Sequence, residues 1–152
     1  MKTIGLIGGM SWESTAHYYA ALNRETARRL GGLHSAPLIV HSVDFAPIEA
    51  LQRADRWDEA GGILGDIAAA LEDRGCGVIG LATNTMHIVA PAITARLNVP
   101  FVHIAEPTAE ALLTDGFETV GLLGTRFTME KRFYAELLEA RGLTVLVPDV
   151  GV

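Results

Sequence analysis

Short aliphatic runs alternate with longer amphipathic segments along the whole chain of 152 residues. This alternation is typical of βαβ units, in which each strand of a parallel sheet is followed by a helix that packs on the sheet. The aliphatic runs predict strands at 3–8, 38–43, 77–82, 101–104, 119–123 and 144–147. The segments between them predict helices at 12–30, 47–52, 57–74, 88–97, 107–114 and 128–141. The sequence therefore predicts an α/β fold with open parallel sheets and flanking helices.

Local signals support these elements and suggest a domain boundary. Ser11 is suited to cap the first helix, and Gly31 follows its last turn as a helix terminator. Pro91 falls early in the helix at 88–97, where a missing N–H costs little, and Pro100 precedes the next strand. We predict a first α/β domain at 1–99 and a partial second α/β domain at 100–152.

Composition limits the classes of partner. The net charge is −6, with 12 Lys and Arg against 18 Asp and Glu, which disfavours a nucleic-acid partner because phosphate binding needs clustered positive charge. The basic pairs Arg28-Arg29 and Lys131-Arg132 are predicted to lie within helices as solvated faces. No apolar run approaches the roughly 20 residues of a membrane helix, and the N-terminus lacks a signal-peptide pattern. The negative net charge thus favours a small-molecule ligand. The single cysteine, Cys76, rules out an internal disulfide and fits a reducing compartment, so we expect a cytoplasmic protein.

The segment Thr83-Asn84-Thr85-Met86-His87 directly follows the apolar run of the third predicted strand. The carboxyl ends of parallel strands are where open α/β sheets bind ligands, and the next helix offers unpaired N–H donors there. Two hydroxyls and an amide, joined by Thr125 and Thr128 after a later strand, are suited to the oxygens of a carboxylate. The alternative is that these side chains only cap the following helix. His87 either orients a ligand or a loop, or is a structural histidine.

Other familiar site patterns are absent from the sequence. Gly8-Gly9 after the first strand permits close approach of a ligand, but the spacing is not that of a dinucleotide fingerprint, and no phosphate-binding P-loop occurs. The five histidines show no metal-binding spacing, so we expect no metal site. Cys76 is predicted to precede its strand, roughly 23 Å from Thr83 at strand spacing, and to be a structural thiol.

Four segments together resemble the aspartate/glutamate racemase family, and within it the broad-specificity amino-acid racemases. They are Ile4-Gly5-Leu6-Ile7-Gly8-Gly9-Met10-Ser11-Trp12-Glu13-Ser14-Thr15, His41-Ser42-Val43-Asp44-Phe45, Thr83-Asn84-Thr85-Met86-His87, and Leu122-Leu123-Gly124-Thr125-Arg126-Phe127-Thr128-Met129. The similarity extends over nearly the whole chain, to about Asp149.

The resemblance implies a cofactor-independent racemase that acts on L-aspartate or L-glutamate in a cleft between two α/β domains. In that family two opposed cysteines exchange the α-proton, and Thr83 stands at the position of the first. The resemblance further assigns Asn84, Thr85 and Thr125 to the substrate α-carboxylate. Met10 and Gln52 match positions that line the cleft.

Two departures from the family pattern affect the expected activity. A threonine hydroxyl is far less acidic than a thiol of pKa about 8.5, so Thr83 cannot act as a standing base. The chain resembles a subgroup of the family that also carries threonine at this position. In that subgroup the second cysteine is the main base. That cysteine lies in a Gly-Cys-Thr-Glu segment, and nothing like it follows Pro148.

From these departures we expect a truncated form whose second domain is incomplete. Val150-Gly151-Val152 comes just after the last predicted strand, so we expect unpaired strand edges and exposed apolar faces. Such edges and faces would favour a homo-oligomer or association with another chain. The alternative to racemase activity is an inactive fragment that binds a dicarboxylate or only self-associates.

Overall fold

The protein is described by a computed structural model that covers residues 1–148. Its contacts divide the chain into two compact units. The first unit comprises Met1–Thr83 and Val89–Val102, and the second comprises Asn84–Ile88 and the chain from His103 onward. The predicted chain end, Val150-Gly151-Val152, lies outside the described residues. The division of the protein into domains at 1–99 and 100–152 stays a prediction.

The first unit is built on a parallel sheet of four strands in the order β2-β1-β3-β4. The strands are β1 Thr3–Gly8, β2 Leu38–Ser42, β3 Cys76–Leu81 and β4 Phe101–Val102. Strand β1 is central, and its Ile4 pairs with Leu38 on one side and Val78 on the other. Because all the pairings are parallel, the carboxyl ends of the strands share one edge of the sheet.

Helices connect these strands and cover the sheet. They are α1 Trp12–Leu30, α2 Phe45–Arg53, α3 Trp57–Asp73 and α4 Ala90–Thr94. Helix α3 buries one stripe with helical periodicity, which consists of Ala60, Gly61, Leu64, Gly65, Ala68 and Leu71. Leu64 is fully buried, as are Ile7 and Ile79 of the sheet. The core of this unit therefore lies between α3 and the two central strands.

The second unit contains a smaller parallel sheet of β5 Thr119–Gly121 and β6 Thr144–Leu146. Its helices are α5 Ala105–Thr114, α6 Arg126–Glu130 and α7 Phe133–Ala140, together with most of a 3₁₀ helix at Thr85–Val89. Its buried cluster consists of Ala105, Ala109, Tyr134, Leu138 and Leu143. Helices α5 and α7 thus supply most of the core of this unit.

The predicted fold class and several helix signals are confirmed. Parallel sheets with flanking helices are present, and α1 has the predicted bounds. Ser11 caps it by accepting a hydrogen bond from Ser14 N at 3.4 Å, and Gly31 ends it at φ 77°. Pro91 lies in the first turn of α4 as expected.

Two predicted helices are wrong in form. The predicted helix at 128–141 is two helices, α6 and α7, because Arg132 adopts φ 30°, which interrupts the helical hydrogen bonding. Lys131-Arg132 therefore lies between helices rather than within one, and the Arg132 guanidinium donates to Glu139 at 2.6 Å. The predicted helix at 88–97 is a 3₁₀ helix that begins at Thr85, followed by the short α4.

Smaller corrections concern element ends. Helix α2 begins before 47, because Asp44 accepts a hydrogen bond from Ala46 N at 3.2 Å and caps it there. Strand β4 stops at Val102, since His103 O already accepts from Glu106 N at 3.0 Å in the first turn of α5. Cys76 is the first residue of β3 and does not precede it.

Within residues 1–148, the helices are too short or too polar to cross a bilayer.

Candidate active site

The first unit has a topological switch point between β1 and β3. The chain leaves β1 for β2 on one side and then crosses to β3 on the other side. At such a point the loops that follow the two strands diverge and leave a crevice at their carboxyl ends. The loop after β1 contains Met10, and the loop after β3 contains Thr83. Two of the predicted site residues thus follow neighbouring strands.

The loop after β1 is held by Thr15 of α1. Gly9 N donates to Thr15 Oγ1 at 2.8 Å, and Thr15 Oγ1 donates to Ser11 O at 3.0 Å. Gly9 has φ 91°, and a Cβ there would lie 2.2 Å from the main-chain oxygen of Val43. The close approach predicted for Gly8-Gly9 is therefore to the protein's own Thr15 and Val43, which is enough to require glycine.

The three predicted site residues of the first unit differ in burial. Met10 is 4% exposed and Gln52, in α2, is 7% exposed. Thr83 is half-buried and follows Ala82, whose N–H donates to Ile7 O at 2.8 Å and so extends the pairing of β1 with β3. Of these three side chains, Thr83 has the most surface available to a ligand.

The second unit brings three threonine hydroxyls together. Thr85 Oγ1 lies 3.0 Å from Thr125 Oγ1 and 3.3 Å from Thr128 Oγ1, and the latter two are 3.1 Å apart. Thr125 also caps α6, because its Oγ1 accepts from Thr128 N at 3.3 Å. Thr85 and Thr128 are buried, whereas Thr125 and the neighbouring Asn84 are exposed. We call Thr85, Thr125 and Thr128 the hydroxyl cluster.

The hydroxyl cluster can exchange its hydrogen bonds with a ligand. Each hydroxyl has one proton to donate and two lone pairs, so three hydroxyls in mutual contact can turn their protons toward an anion. The cluster itself carries no charge. Arg126 follows Thr125 directly, is exposed, and has its guanidinium carbon 5.5 Å from the centre of the Phe127 ring.

Cys76 lies at the opposite end of β3 from Thr83. It is 2% exposed at the amino end of the strand, and burial raises the pKa of its thiol. A buried thiol held in its neutral form is a poor nucleophile and a poor base. The prediction of a structural cysteine agrees with this environment.

Sequence reasoning paired Thr85 with Thr125, and the structure brings them together. It missed Thr15, although the spacing of four residues from Ser11 on one helix face was a signal that the two would interact. It also missed His103, which accepts a hydrogen bond at the start of α5 from Ala105 N at 3.2 Å. Across residues 1–148, no three His, Cys, Asp or Glu side chains are grouped to hold a metal ion.

Comparison with known proteins identifies the family of the chain. The family model of Asp/Glu/hydantoin racemases matches residues 7–152. The chain belongs to this family. A curated relative, the broad-specificity amino-acid racemase of Bacillus subtilis (strain 168), is 28% identical over 149 residues, which are 96% of this chain and 64% of that protein.

Solved structures of racemase-like proteins are similar over almost the entire chain. A Yersinia pestis protein provisionally assigned as an Asp/Glu racemase is 48% identical with a TM-score of 0.93, over 99% of this chain and 66% of that one. An aspartate racemase homologue from Pyrococcus horikoshii OT3 is 39% identical with a TM-score of 0.83, over the same 99% and 66%. The racemase-family chain therefore spans slightly less than two thirds of the length of these relatives.

Proposed function

We propose that this racemase-family chain takes part in cofactor-independent racemisation of an acidic amino acid, aspartate or glutamate. The chemistry removes the α-proton on one face of the substrate and returns a proton on the other. Both steps place negative charge on the α-carbon and on the carboxylate next to it, so the carboxylate must be held by donors. The chain is proposed to supply these donors.

The observation that carries the proposal is the hydroxyl cluster. Its three oxygens lie within 3.0 to 3.3 Å of one another. In this arrangement Thr85 and Thr125 donate to the two carboxylate oxygens, and Asn84, exposed beside Thr85, adds its amide. Hydroxyl donors turn without a change in charge, so either enantiomer can be held by the same carboxylate contacts.

Thr83 is proposed to stand at one face of the α-carbon, and Met10 and Gln52 to line the same cleft. Thr83 precedes Asn84 directly in the chain, so it is close to the proposed carboxylate contacts. Its hydroxyl remains protonated at neutral pH and can donate a hydrogen bond, but it cannot remove the α-proton. The base is therefore proposed to be a group other than Thr83.

A second candidate function is binding of the dicarboxylate without turnover. It is favoured by the two groups at the ends of β3. The hydroxyl of Thr83 follows the carboxyl end of the strand, and the thiol of Cys76 is buried at the amino end, where burial raises its pKa. A cytoplasmic location and assembly into a homo-oligomer stay predictions in either case.

Exchange of the α-proton in D₂O separates the two candidates, because racemisation predicts loss of the Cα–H signal with the wild type and binding without turnover predicts that the signal is retained. The chain is incubated with L- and D-aspartate and with L- and D-glutamate, and loss of the Cα–H signal is followed by NMR. We expect the variant Thr83→Cys, which introduces an ionisable thiol, to exchange about 10²-fold faster than the wild type, while Thr83→Val does not. If Thr83→Cys exchanges no faster although the amino acid binds, Thr83 does not face the α-carbon. If no amino acid binds, the proposal as a whole fails.

A further inference from the structure

Two histidines of the second unit lie together at the start of α5. His87 is 1% exposed and belongs to the 3₁₀ helix, and His103 is half-buried just before α5. Their ring centres are 4.5 Å apart with an interplanar angle of 65°. Neither ring has a part in the proposed carboxylate contacts.

Both rings accept hydrogen bonds from the main chain at the start of α5. Ile104 N donates to Nε2 of His87 at 3.1 Å, and Ala105 N donates to Nδ1 of His103 at 3.2 Å. A ring nitrogen that accepts a hydrogen bond carries no proton, so this arrangement requires both imidazoles to be neutral. Burial also holds the pKa of His103 below its ordinary value, against the opposing effects of Glu106 and of a hydrogen bond to the main chain of His87.

The His87 ring fixes the turn that contains Thr85. His87 N donates to Asn84 O at 3.1 Å, which closes this turn of the 3₁₀ helix. The ring of the same residue is bonded to Ile104 N at 3.1 Å. The turn that brings Thr85 within 3.0 Å of Thr125 is therefore attached to α5 through one imidazole nitrogen.

We propose that His87 and His103 are positioning residues for the carboxylate site: as a neutral pair they anchor the Thr85 turn on α5, and their protonation releases it. Protonation would replace each acceptor with an N–H that faces a main-chain N–H. It would also place two positive rings 4.5 Å apart at the positively polarised end of a helix. That Thr85 binds a carboxylate is the part of this inference that rests on the proposed function.

The charged and titratable groups around the pair determine the sign of the pH effect. Glu106 of α5 favours the protonated form of His103, but burial opposes it more strongly. From α7, Tyr134 faces α5 and donates its hydroxyl to Thr108 at 3.2 Å. The hydrogen bond from Ala105 N to His103 should therefore be intact at pH 8 and be lost as the pH falls through the lowered pKa of His103. Under the proposal, the hydrogen bond from Ile104 N to His87 is lost together with it.

Matched variants separate the hydrogen bonds from the ring charge. The double variant His87→Gln with His103→Asn keeps an uncharged acceptor near each accepting nitrogen and cannot titrate. His87→Leu keeps a buried apolar side chain and removes the acceptor. The ¹⁵N-labelled full chain and both variants are titrated from pH 8 to pH 5 while the amide signals of Thr85, Ile104 and Ala105 are followed. The affinity for L-aspartate is measured by calorimetry at both ends of the range.

In the wild type we expect the amide protection of Ile104 and the affinity for L-aspartate each to fall about tenfold toward pH 5, which is the loss of about one hydrogen bond. The double variant should keep the wild-type values of pH 8 throughout, and His87→Leu should show the weakened affinity at every pH. The proposal is overturned if Ile104 stays protected at pH 5 in the wild type, or if the double variant titrates like the wild type.

The NMR titration does not depend on ligand binding, so the two proposals fail separately. If L-aspartate does not bind even at pH 8, the carboxylate site is wrong, and the Thr85 and Ile104 signals still decide whether the pair anchors the turn. The wild-type titration and the double variant give this decision even if His87→Leu does not fold.

Discussion

Replacing Thr15 with valine tests how the loop after β1 is held. Valine has nearly the shape of threonine but lacks the hydroxyl, which accepts from Gly9 N at 2.8 Å and donates to Ser11 O at 3.0 Å. The Gly9 N–H is buried, so the change leaves a donor without a partner, at a cost of about 1–3 kcal/mol. Ser11 O still accepts from Thr15 N at 3.2 Å, so loss of the second bond adds at most about 1 kcal/mol.

The expected loss in free energy of unfolding for Thr15→Val is therefore about 2–3 kcal/mol. For a chain of this size, that corresponds to a fall in Tm of roughly 5–10 °C. The control Thr15→Ser keeps the hydroxyl and loses one methyl group, which should cost about 1 kcal/mol. The two variants together separate the hydrogen bonds from the packing of the side chain.

Urea unfolding followed by far-UV circular dichroism measures both variants under the same conditions. The expected order of stability is wild type, then Thr15→Ser, then Thr15→Val, with an interval of about 1–2 kcal/mol between the two variants. If Thr15→Val is as stable as Thr15→Ser, the hydroxyl does not hold the loop, and the assignment of Thr15 is refuted.

Three further predictions follow from the described contacts. Gly9→Ala should lose about 3 kcal/mol or more of the free energy of unfolding, because its Cβ would lie 2.2 Å from the Val43 oxygen at φ 91°. The control Gly62→Ala, whose Cβ meets nothing within 4 Å, should be neutral or stabilising. Equal effects of the two variants in a thermal melt would contradict this reasoning. Thr85→Val should weaken L-aspartate binding about tenfold in calorimetry while Thr85→Ser does not, and equal weakening would assign the effect to packing. Because burial raises the pKa of Cys76 in the folded state, its contribution to stability is complete below the pKa of the unfolded thiol and is lost as the pH rises above it. Urea unfolding between pH 7.5 and pH 10 should therefore show a steeper loss of the free energy of unfolding with rising pH for the wild type than for Cys76→Ala. Parallel profiles would contradict the assignment of Cys76 as a buried, neutral thiol.

Signals that are local in the sequence predicted the fold well. The bounds of α1 follow from Ser11 and Gly31, whose capping depends only on nearby main-chain atoms. The same kind of reasoning failed at Arg132, because no residue type there signals a positive φ. A continuous helical pattern at 128–141 therefore hid a break between two helices.

The candidate site shows the same difference between local and distant contacts. Thr125 and Thr128 are three residues apart and form a local cap, which the sequence indicates. The contact of Thr85 with Thr125 spans 40 residues and joins segments that follow strands of two different sheets, β3 and β5. The sequence supported it only through the shared hydroxyl chemistry of the two segments and through the family resemblance. The role of His87 could not be read from spacing, because its partner is a main-chain N–H at Ile104.

The most direct test of the central claim is a map of where an acidic amino acid contacts the chain. The ¹⁵N-labelled protein is titrated with L-aspartate and L-glutamate at pH 8, and amide shifts are followed by residue. The account predicts saturable shifts centred on Thr83, Asn84 and Thr85, together with Thr125 and Thr128, and little change in β6. Saturable shifts centred elsewhere, or none at millimolar ligand, would contradict a carboxylate site at the hydroxyl cluster.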